Sequence, residues 1–281
     1  GNGGGIFNET SYGTASPTLT NCIISGNMAR TGGGINNQAN LGSSIASPTL
    51  INCIISGNIS TGSGNYSAGA FYNYARRGIA NPRFINSTIT GNYCYGGSGG
   101  LGNFIYYESD DYETIAKPIF INSIMWGNKK GSHQIENVSN TSNNAVSLGS
   151  PHYSYSNIEG SGGSGGWEDS FGDDGENNID QKPWFILPVD IPLDVSSHAN
   201  PLEPTTEGNF RLFQFSGAVD MGDPATVFEG VFPVNELGVF TDIEGDERIQ
   251  GDGNRIDMGA YEGGEAPAHY YVKSTAPNPD G

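Results

Sequence analysis

Residues able to do acid–base chemistry are scarce in the first half of the chain. Hydrolysis of a glycosidic bond requires two carboxylates facing the bond, roughly 5–9 Å apart. The first 107 residues contain one acid, Glu9, and the acids Asp110, Asp111 and Glu113 then follow together on one short segment. We therefore expect no catalytic carboxylate pair, and no catalytic residue, in this part of the sequence.

Basic residues leave one catalytic alternative open. A calcium-dependent lyase needs several acidic oxygens around the ion and a basic side chain that accepts a proton. The bases to test for such a reaction are Arg76, Arg77, Lys129, Lys130 and His133. We interpret all five as solvated loop residues and keep the polysaccharide lyase as the alternative.

Two acidic clusters are candidates for binding Ca²⁺ through carboxylate oxygens. One consists of Asp173, Asp174 and Glu176, and the other extends from Asp242 to Asp252. Neither has carboxylates at alternate positions ahead of a terminal Glu, as an EF-hand loop does. We interpret both as acidic surface loops, predict no cofactor, and keep a structural Ca²⁺ as the alternative.

Tyrosines are concentrated in two variable segments, residues 66–74 and 93–112. Aromatic side chains at a surface can stack on sugar rings or pack against a partner protein. We predict that five of them form a ligand-binding surface: Tyr72, Tyr74, Tyr106, Tyr107 and Tyr112. The alternative is that these rings cover the side of the fold as local packing.

The basic and aromatic candidates lie between copies of a repeated phrase, which begins with a proline and ends with Gly-Asn. The copies begin at Pro17, Pro48, Pro82, Pro118 and, in a degraded form, Pro151. Their starts are 31 to 36 residues apart, a period typical of a repeat array. The period predicts that each copy is one structural unit stacked on its neighbours.

Each column of the repeat keeps one kind of side chain. The position two after the proline holds Leu19, Leu50, Phe84 and Phe120. The position five after it is Cys or Ser, and the position seven after it is Ile or Met. In the four full copies, asparagine occupies the fourth and the tenth positions after the proline.

A second phrase, in which an apolar residue stands two positions before an asparagine, lies between the copies. Its asparagines are Asn8, Asn37, Asn73, Asn103 and Asn137. Short β-rich runs separated by Asn and Gly are typical of strands joined by tight turns. Parallel stacking of the copies would place like side chains about 4.8 Å apart. The sequence therefore predicts an all-β solenoid with apolar core columns and hydrogen-bonded asparagine columns.

The Gly-Gly-Gly-Ile and Asn-Cys-Ile-Ile-Ser-Gly-Asn phrases resemble those of right-handed parallel β-helix proteins, including proteins with polymorphic outer-membrane-protein repeats. The usual Phe-x-x-Asn of that repeat occurs only loosely. Residues 242–248 and 257–262 resemble the closing element of bacterial secreted β-helix proteins with a choice-of-anchor region. The resemblance implies a right-handed parallel β-helix in a secreted or cell-surface bacterial protein, and it implies no single activity.

Charge divides the chain into two parts. The first 158 residues contain 6 acidic and 7 basic residues, whereas the rest of the chain contains 24 acidic and 5 basic residues. We predict parallel coils over residues 1–159, acidic C-terminal coils with an irregular cap over 160–264, and an extended tail over 265–281. The cap would close the solenoid end, where apolar surface and strand edges are otherwise exposed.

Two further expectations concern particular side chains. In the C-terminal part, Arg248 or Arg255 is expected to pair with Asp257 or Glu262 and to hold the last coil in place. Cysteines 22 and 53 share one column, which serines continue, so the column requires a small side chain. A disulfide is geometrically allowed at that spacing. We predict free thiols, because the three cysteines form no disulfide framework.

The formal charge of -18 argues against a nucleic-acid partner or an anionic membrane surface. No apolar run approaches the roughly 20 residues of a spanning helix, so we expect no membrane insertion of this segment. We also expect further coils upstream and an anchor or sorting region downstream. The expected function is a non-catalytic extracellular module, adhesive, structural or glycan-binding, with a polysaccharide or surface protein as partner. The alternative is a polysaccharide lyase or glycoside hydrolase acting in a solenoid groove.

Overall fold

The computed structural model describes residues 1–64, 66–109, 111–131, 134–143, 149–189, 203–226, 239–248 and 255–263. Their regular secondary structure is almost all β-strand, with no α-helix among the described residues, and the chain winds through about four turns of a parallel β-solenoid. The predicted all-β solenoid is therefore confirmed. Asp110, His133 and Asp252, which the sequence singled out, lie outside the described residues, as does the predicted tail over 265–281.

Four sheets run along the solenoid, and successive turns contribute neighbouring strands. The first sheet consists of Ile6–Ser11, Ile35–Leu41, Phe71–Ala75, Leu101–Ile105 and Val138–Ser142. The second sheet consists of Thr18–Thr20, Thr49–Ile51, Arg83–Ile85, Ile119–Ile121, His152–Ser154 and Asp173–Asp174. The third sheet consists of Ile23–Ser25, Ile54–Ser56, Thr88–Thr90, Ile124–Trp126 and Asn157–Ile158. The fourth sheet consists of Met28–Ala29, Ile59–Ser60, Tyr93–Cys94, Lys129–Lys130 and the antiparallel strand Gln134–Ile135. A smaller parallel pair is formed by Ser44–Ile45 and Gly78–Ile79.

The core is built from side chains stacked in the register that the repeat predicts. Leu19 pairs with Leu50, then Phe84, then Phe120 along the second sheet. The degraded copy continues this column with Tyr153, whose ring centroid lies 4.9 Å from that of Phe120. The rings of Phe84 and Phe120 stack in parallel planes, with their centroids 4.4 Å apart and an interplanar angle of 1°. The same core cluster contains Ile24, Ile55, Ile89, Met125 and Ile158 from the third sheet.

The asparagines and glycines of the repeated phrase form its two corners. Between the second and third sheets, four asparagines have φ angles of 46–53°. They are Asn21, Asn52, Asn86 and Asn122. Asparagine tolerates this left-handed region because its short polar side chain can hydrogen-bond locally. Between the third and fourth sheets, Gly57 and its counterparts have φ angles of 60–68°, which glycine adopts without a Cβ penalty.

Two columns of asparagine run along the solenoid interior. In the first sheet, the Nδ2 of each asparagine donates to the Oδ1 of the next over 2.6–2.9 Å. This first ladder consists of Asn8, Asn37, Asn73, Asn103 and Asn140. Beside the fourth sheet, a second ladder has the same donor direction, with distances of 2.8–2.9 Å. The second ladder consists of Asn27, Asn58, Asn92, Asn128 and Asn137. The predicted hydrogen bonding between asparagines one coil apart is confirmed.

The position of Asn137 corrects one detail of the sequence interpretation. We expected Asn137 to continue the column of Asn103, but Asn103 pairs with Asn140 in the first sheet. Asn137 instead accepts from Asn128 and ends the second ladder. The spacing misled because Gln134–Ile135 turns back antiparallel to Lys129–Lys130, which delays the next first-sheet strand by three residues.

The column of small residues forms a third line of hydrogen bonds. The backbone N–H of Cys53 donates to Ser87 Oγ over 3.3 Å, and that of Ser87 donates to Ser123 Oγ over 3.2 Å. Ser156 and Asn178 extend the line into the last two turns. All three cysteines of the chain are free thiols, as predicted.

The C-terminal part packs against the side of the solenoid. The strands Phe185–Leu187 and Asn209–Leu212 form an antiparallel pair that packs against outward-facing third-sheet isoleucines. A short 3₁₀ turn, Pro224–Thr226, follows. Trp167 and Phe171, which lie within the predicted 160–264 region, contact the last turns of the core, and closure of the solenoid end by a cap stays a prediction. The domain boundaries near residues 159 and 264 stay predictions.

Candidate ligand-binding surface

The outward face of the first sheet presents a group of aromatic side chains on the third and fourth turns. Alternation along Phe71–Ala75 directs Phe71 and Asn73 inward and leaves Tyr72 and Tyr74 outside. On the next strand, Phe104 lies directly beside Tyr74 in the register. Because parallel stacking repeats this alternation in every turn, the rings form one continuous outer group.

The rings of this group contact one another closely. Tyr74 stacks on Phe104 with centroids 5.8 Å apart and planes 19° apart, and Tyr72 stacks on Tyr74 at 6.3 Å. The Tyr66 ring meets the Phe104 ring edge-on, with centroids 4.6 Å apart, and the centroid of Tyr106 lies 6.5 Å from that of Phe104. We call Tyr66, Tyr72, Tyr74, Phe104 and Tyr106 the aromatic group.

Charged side chains border the aromatic group where the first-sheet strands end. Glu108 forms ion pairs with both Arg76 and Arg77, and Arg76 Nε donates to its Oε1 over 2.6 Å. The guanidinium of Arg76 lies 5.4 Å from the centroid of Tyr106, and that of Arg77 lies 5.1 Å from the centroid of Tyr112. Stacking and ion pairing together hold the two arginines in fixed positions.

Polar side chains continue the same face on the first two turns. Gln38 donates to Asn36 Oδ1 over 2.7 Å, and Asn36 donates to Thr31 Oγ1 over 2.8 Å. Asn40 donates to a carboxylate oxygen of Glu9 and, over 3.3 Å, to Gln38 Oε1. The outer face of the first sheet therefore combines a strip of amides with the aromatic group, a pairing suited to hydroxyl-rich ligands with apolar ring faces.

The five tyrosines predicted to bind a ligand differ in their accessibility. Tyr106 and Tyr112 are 37% and 38% exposed, whereas Tyr72 is 5% exposed and packs beneath its neighbours. Tyr74 and Tyr107 are half-buried, and the Tyr107 backbone N–H donates to Asn143 Oδ1 over 2.7 Å. Tyr106 and Tyr112 are thus exposed and Tyr72 is packed locally, and ligand binding by these five residues stays a prediction.

Several members of this surface, Phe104 and Glu108 among them, were not selected from the sequence. Phe104 stands one residue after Asn103 of the second phrase, so strict alternation would have placed it outside beside Tyr74. Glu108 lies in the variable segment after the strand, and no repeat spacing signals that it pairs with arginines of the preceding turn.

The basic residues considered for lyase chemistry fall into separate places. Arg76 and Arg77 follow a first-sheet strand, while Lys129 and Lys130 form a strand of the fourth sheet. Lys130 pairs with Glu136 over 2.8 Å. Hydrogen bonding to Glu108 raises the pKa of Arg76, which makes this guanidinium a poorer proton acceptor. The described residues thus provide no shared site for these four bases.

The acidic residues considered for Ca²⁺ organise a turn instead. Asp174 Oδ1 accepts from Ser164 Oγ, Asn178 Nδ2 and the backbone N–H of Glu176, over 2.7–3.0 Å. Asp173 belongs to the last strand of the second sheet. In the described part of the chain, no three His, Cys, Asp or Glu side chains lie together as a metal site would require. A structural Ca²⁺ stays a prediction.

A buried charge cluster joins the C-terminal part to the solenoid. Arg248 is fully buried and donates to Asn52 Oδ1 over 2.7 Å and to Glu262 Oε2 over 3.1 Å. The expected pairing of Arg248 with Glu262 is therefore present. Asp242 and Asp257 are buried nearby, so three carboxyl groups share one guanidinium. Burial raises the pKa of Asp257 to about 6 and that of Glu262 to about 8.

A cavity of about 380 Å³ opens near the C-terminal end of the second asparagine ladder. Its apolar walls include Val138 and Phe171, and Glu159 contributes a carboxylate. Glu159 Oε2 accepts from the Gly127 backbone N–H over 2.6 Å and from Asn137 Nδ2 over 3.3 Å. Burial raises the pKa of Glu159. These contacts make Glu159 the acceptor that terminates the ladder, so the aromatic group is the better candidate for ligand binding.

Comparisons with known proteins leave the function to be argued from this geometry. No family model matches the chain, and no curated protein matches it. Among the described residues, no helix has the length and apolar character needed to cross a bilayer.

Proposed function

We propose that this chain is a non-catalytic glycan-binding module of a bacterial protein that is secreted or held at the cell surface. The observation that supports the binding function is the aromatic group on the outer face of the first sheet, adjoining the partly exposed amides of Gln38 and Asn40. The extracellular location is supported by the sequence resemblance to secreted β-helix proteins.

The chemistry of the surface fits a sugar polymer. The apolar face of a pyranose ring packs against an aromatic ring, while amide and carboxylate groups beside it exchange hydrogen bonds with hydroxyls. Tyr74 and Tyr106 present accessible ring surface on adjacent turns, and the amides lie on the preceding turn. A glycan lying along the solenoid axis would meet these groups one turn at a time.

The arginines of this surface support binding better than catalysis. Both guanidinium groups are engaged by Glu108 and by tyrosine rings, which hold them in fixed positions. A glycoside hydrolase would need a second carboxylate facing Glu108 across a bound sugar. The aromatic group itself contains no titratable carboxyl side chain. Polysaccharide cleavage is therefore the alternative function that the experiments below test against binding.

Glycan-array binding tests this proposal, using the whole chain and a variant with Tyr74→Ala and Tyr106→Ala. We expect the wild type to retain a set of glycans and the variant to bind them about tenfold or more weakly, since each stacking contact contributes on the order of 1 kcal/mol. Phe215→Ala removes an exposed ring elsewhere and should leave binding unchanged.

An ultraviolet assay for unsaturated products from acidic polysaccharides addresses the opposing outcome. We expect no turnover by the wild type. Turnover that disappears in Arg76→Ala or Arg77→Ala would establish the lyase in place of the binding module. Equal binding by the wild type and the double tyrosine variant would remove the aromatic group as the site.

A further inference from the structure

The chain contains a single Asp–Pro peptide bond, which joins Asp223 to Pro224. The side-chain carboxyl of an aspartate can close a five-membered ring with its own backbone carbonyl carbon, an intramolecular attack of the kind that proximity accelerates. Because proline has no backbone N–H, the nitrogen on the other side of the bond leaves as a secondary amine. This bond therefore carries its own nucleophile and a suitable leaving group.

The solenoid holds Asp223 on both sides of its backbone. Asn122 Oδ1 accepts from the Asp223 N–H over 2.7 Å, and Asn122 Nδ2 donates to the Asp223 carbonyl over 3.2 Å. Asn122 is fixed at a left-handed corner, with a φ angle of 50°. The preceding residue is Gly222, where a Cβ would lie 3.3 Å from Asn122 Cγ and 2.8 Å from the Ile256 side chain. The absence of a side chain at Gly222 thus permits the close approach of Asp223 to Asn122.

Three donors converge on the carbonyl oxygen of Asp223. Besides Asn122 Nδ2, Thr226 donates through its Oγ1 over 2.7 Å and through its backbone N–H over 3.2 Å. The backbone bond is the one expected for a residue that precedes a 3₁₀ turn, whereas the other two bonds are additional. Three donors exceed the two lone pairs of a neutral carbonyl and suit the oxyanion of a tetrahedral intermediate.

The carboxyl group of Asp223 lies beside the same turn. Its Oδ1 accepts from the Ala225 backbone N–H over 2.9 Å, and no described residue donates to its Oδ2. Asp223 is half-buried and Ala225 is exposed, so water has access to this bond. The site therefore combines a carboxyl oxygen without a donor, a preorganised oxyanion site and a supply of water.

We propose that the Asp223–Pro224 bond cleaves itself in the folded protein under acidic conditions, independently of glycan binding. The neutral Asp223 carboxyl attacks its own carbonyl carbon and forms the C–O bond of a cyclic anhydride. As the C–N bond breaks, the carboxyl proton passes to the Pro224 nitrogen. One water molecule then hydrolyses the anhydride, which leaves a C-terminal aspartic acid and an N-terminal proline. An ionised carboxylate lacks the proton for the leaving group, so the rate should rise as pH falls.

The two products should remain associated. Beyond the cleaved bond, Arg248 still donates to Asn52 Oδ1, and Asn86 still donates to the Asp257 carbonyl. Self-cleavage would therefore replace the covalent link between the solenoid and the docked C-terminal residues by these non-covalent contacts alone.

Intact-mass spectrometry of the full chain at about pH 4, folded and in denaturing urea, tests the proposal. An Asp–Pro bond has some acid lability in any chain, and the unfolded sample measures it. We expect fragments that end at Asp223 and begin at Pro224, with a summed mass of the chain plus one water. They should form at least about tenfold faster in the folded sample, because one oxyanion donor is worth about 10²–10³ in rate. Equal or slower cleavage of the folded chain would overturn the proposal.

Two variants test the assigned roles. Asp223→Asn removes the acid and should abolish cleavage at pH 4, whereas Asp220→Asn, which changes an exposed aspartate nearby, should leave the rate unchanged. Thr226→Val removes the hydroxyl donor and should slow cleavage of the folded chain by about tenfold or more, with no change in urea. Circular dichroism establishes that each variant is folded. Cleavage of folded Thr226→Val at the wild-type rate would show that these donors do not promote the reaction.

Discussion

The solenoid turns and the C-terminal part of this protein are stabilised in contrasting ways. In the solenoid, identical side chains contact their counterparts one turn away, so that Leu, Phe and Asn columns repeat each interaction. In the C-terminal part, each contact occurs once, and the largest fully buried side chain is the charged Arg248. A repeated interaction is supported by neighbours of its own kind, whereas a single buried charge depends on one particular set of partners.

The contact between the two regions shows how a repeat is adapted to a unique partner. The corner asparagines have outward side chains, and three successive ones bind the C-terminal part. Asn52 donates to the Thr241 carbonyl, Asn86 donates to the Asp257 carbonyl, and Asn122 donates to Thr226 Oγ1. Because those asparagines are already required for the left-handed corner, the docking site uses a column that the fold provides.

Among the variants considered, removal of the buried Arg248 guanidinium should cause the largest loss in the free energy of unfolding. Arg248→Met leaves Asp242, Asp257 and Glu262 without their counter-charge, and breaking such a buried pair costs about 3–5 kcal/mol. We expect urea denaturation to show this loss, with the C-terminal part releasing first. Arg255→Met changes an exposed arginine and should shift the free energy of unfolding by less than about 0.5 kcal/mol. A comparable loss in both variants would contradict a special role for Arg248.

The pH dependence of stability should come chiefly from the same cluster. Burial raises the folded-state pKa of Asp257 from 3.8 to about 6, so between those values the folded state binds more protons than the unfolded state. Stability from this group is therefore complete below about pH 4 and decreases as pH rises, by about 3 kcal/mol in all, since one pKa unit is worth 1.36 kcal/mol. Glu262, whose pKa is raised to about 8, extends the decrease to higher pH.

Denaturation of the wild type and Asp257→Asn from pH 4 to 9 isolates this contribution. The neutral amide keeps the acceptor for the Asp220 backbone N–H but does not titrate. We expect the stability difference between the two proteins to change in favour of the variant as pH rises. Parallel pH curves would show that Asp257 is not the titrating group.

Within the solenoid, loss of one asparagine rung should cost less than loss of Arg248. Asn73 Nδ2 donates to Asn103 and to the Ala80 carbonyl, and its Oδ1 accepts from Asn37. Asn73→Ala leaves these buried partners unsatisfied, at a cost of about 2–3 kcal/mol. Asn8→Ala, in the first turn, removes a rung that among the described residues bonds to Asn37 and to the Ala15 carbonyl, and should cost about half as much. Thermal unfolding of both variants compares them directly.

The fold was predictable from sequence wherever a side chain repeats. The stacked column from Leu19 to Phe120, the asparagine ladders and the corner positions all follow from the spacing of the repeated phrase. Asn137 was assigned to the wrong ladder because the antiparallel excursion after Lys130 changes the chain length between columns without leaving a repeat signal. The side-on docking of the C-terminal part carries no repeat signal, because it depends on single-copy contacts such as Arg248 with Asn52.

The candidate surface was predictable only in part. Tyrosine enrichment located the surface on the third and fourth turns. Composition does not indicate which rings are covered by neighbouring side chains, and Tyr72 is one of the covered rings. Exposure depends on segments that fold back over the sheet, as Tyr66 does over Phe104. The ion pairs of Glu108 join residues 31 and 32 positions apart, about one repeat, but these residues lie where no repeated residue type marks the pairing.

The small-residue column offers the test with the smallest expected effect. Cys53 is fully buried, and its Sγ donates to the Ile51 carbonyl over 3.3 Å. In the next turn, Ser87 Oγ makes the equivalent bond to the Ile85 carbonyl over 3.1 Å. Cys53→Ser therefore places a hydroxyl where the column already accepts one, and we expect a change below about 1 kcal/mol, although a buried polar group without a partner would cost more.

The reciprocal variant Ser87→Cys should be equally mild if the column selects size and hydrogen bonding together. Calorimetry of both variants provides the measurement, with Cys53→Leu as the oversized control, for which overpacking should cost about 1–3 kcal/mol. Burial raises the pKa of the Cys53 thiol to about 12, so this residue should also resist disulfide reagents until the protein unfolds. A large loss in Cys53→Ser would mean that the turns are less interchangeable than their stacking implies, and that the contrast with the C-terminal part is one of degree.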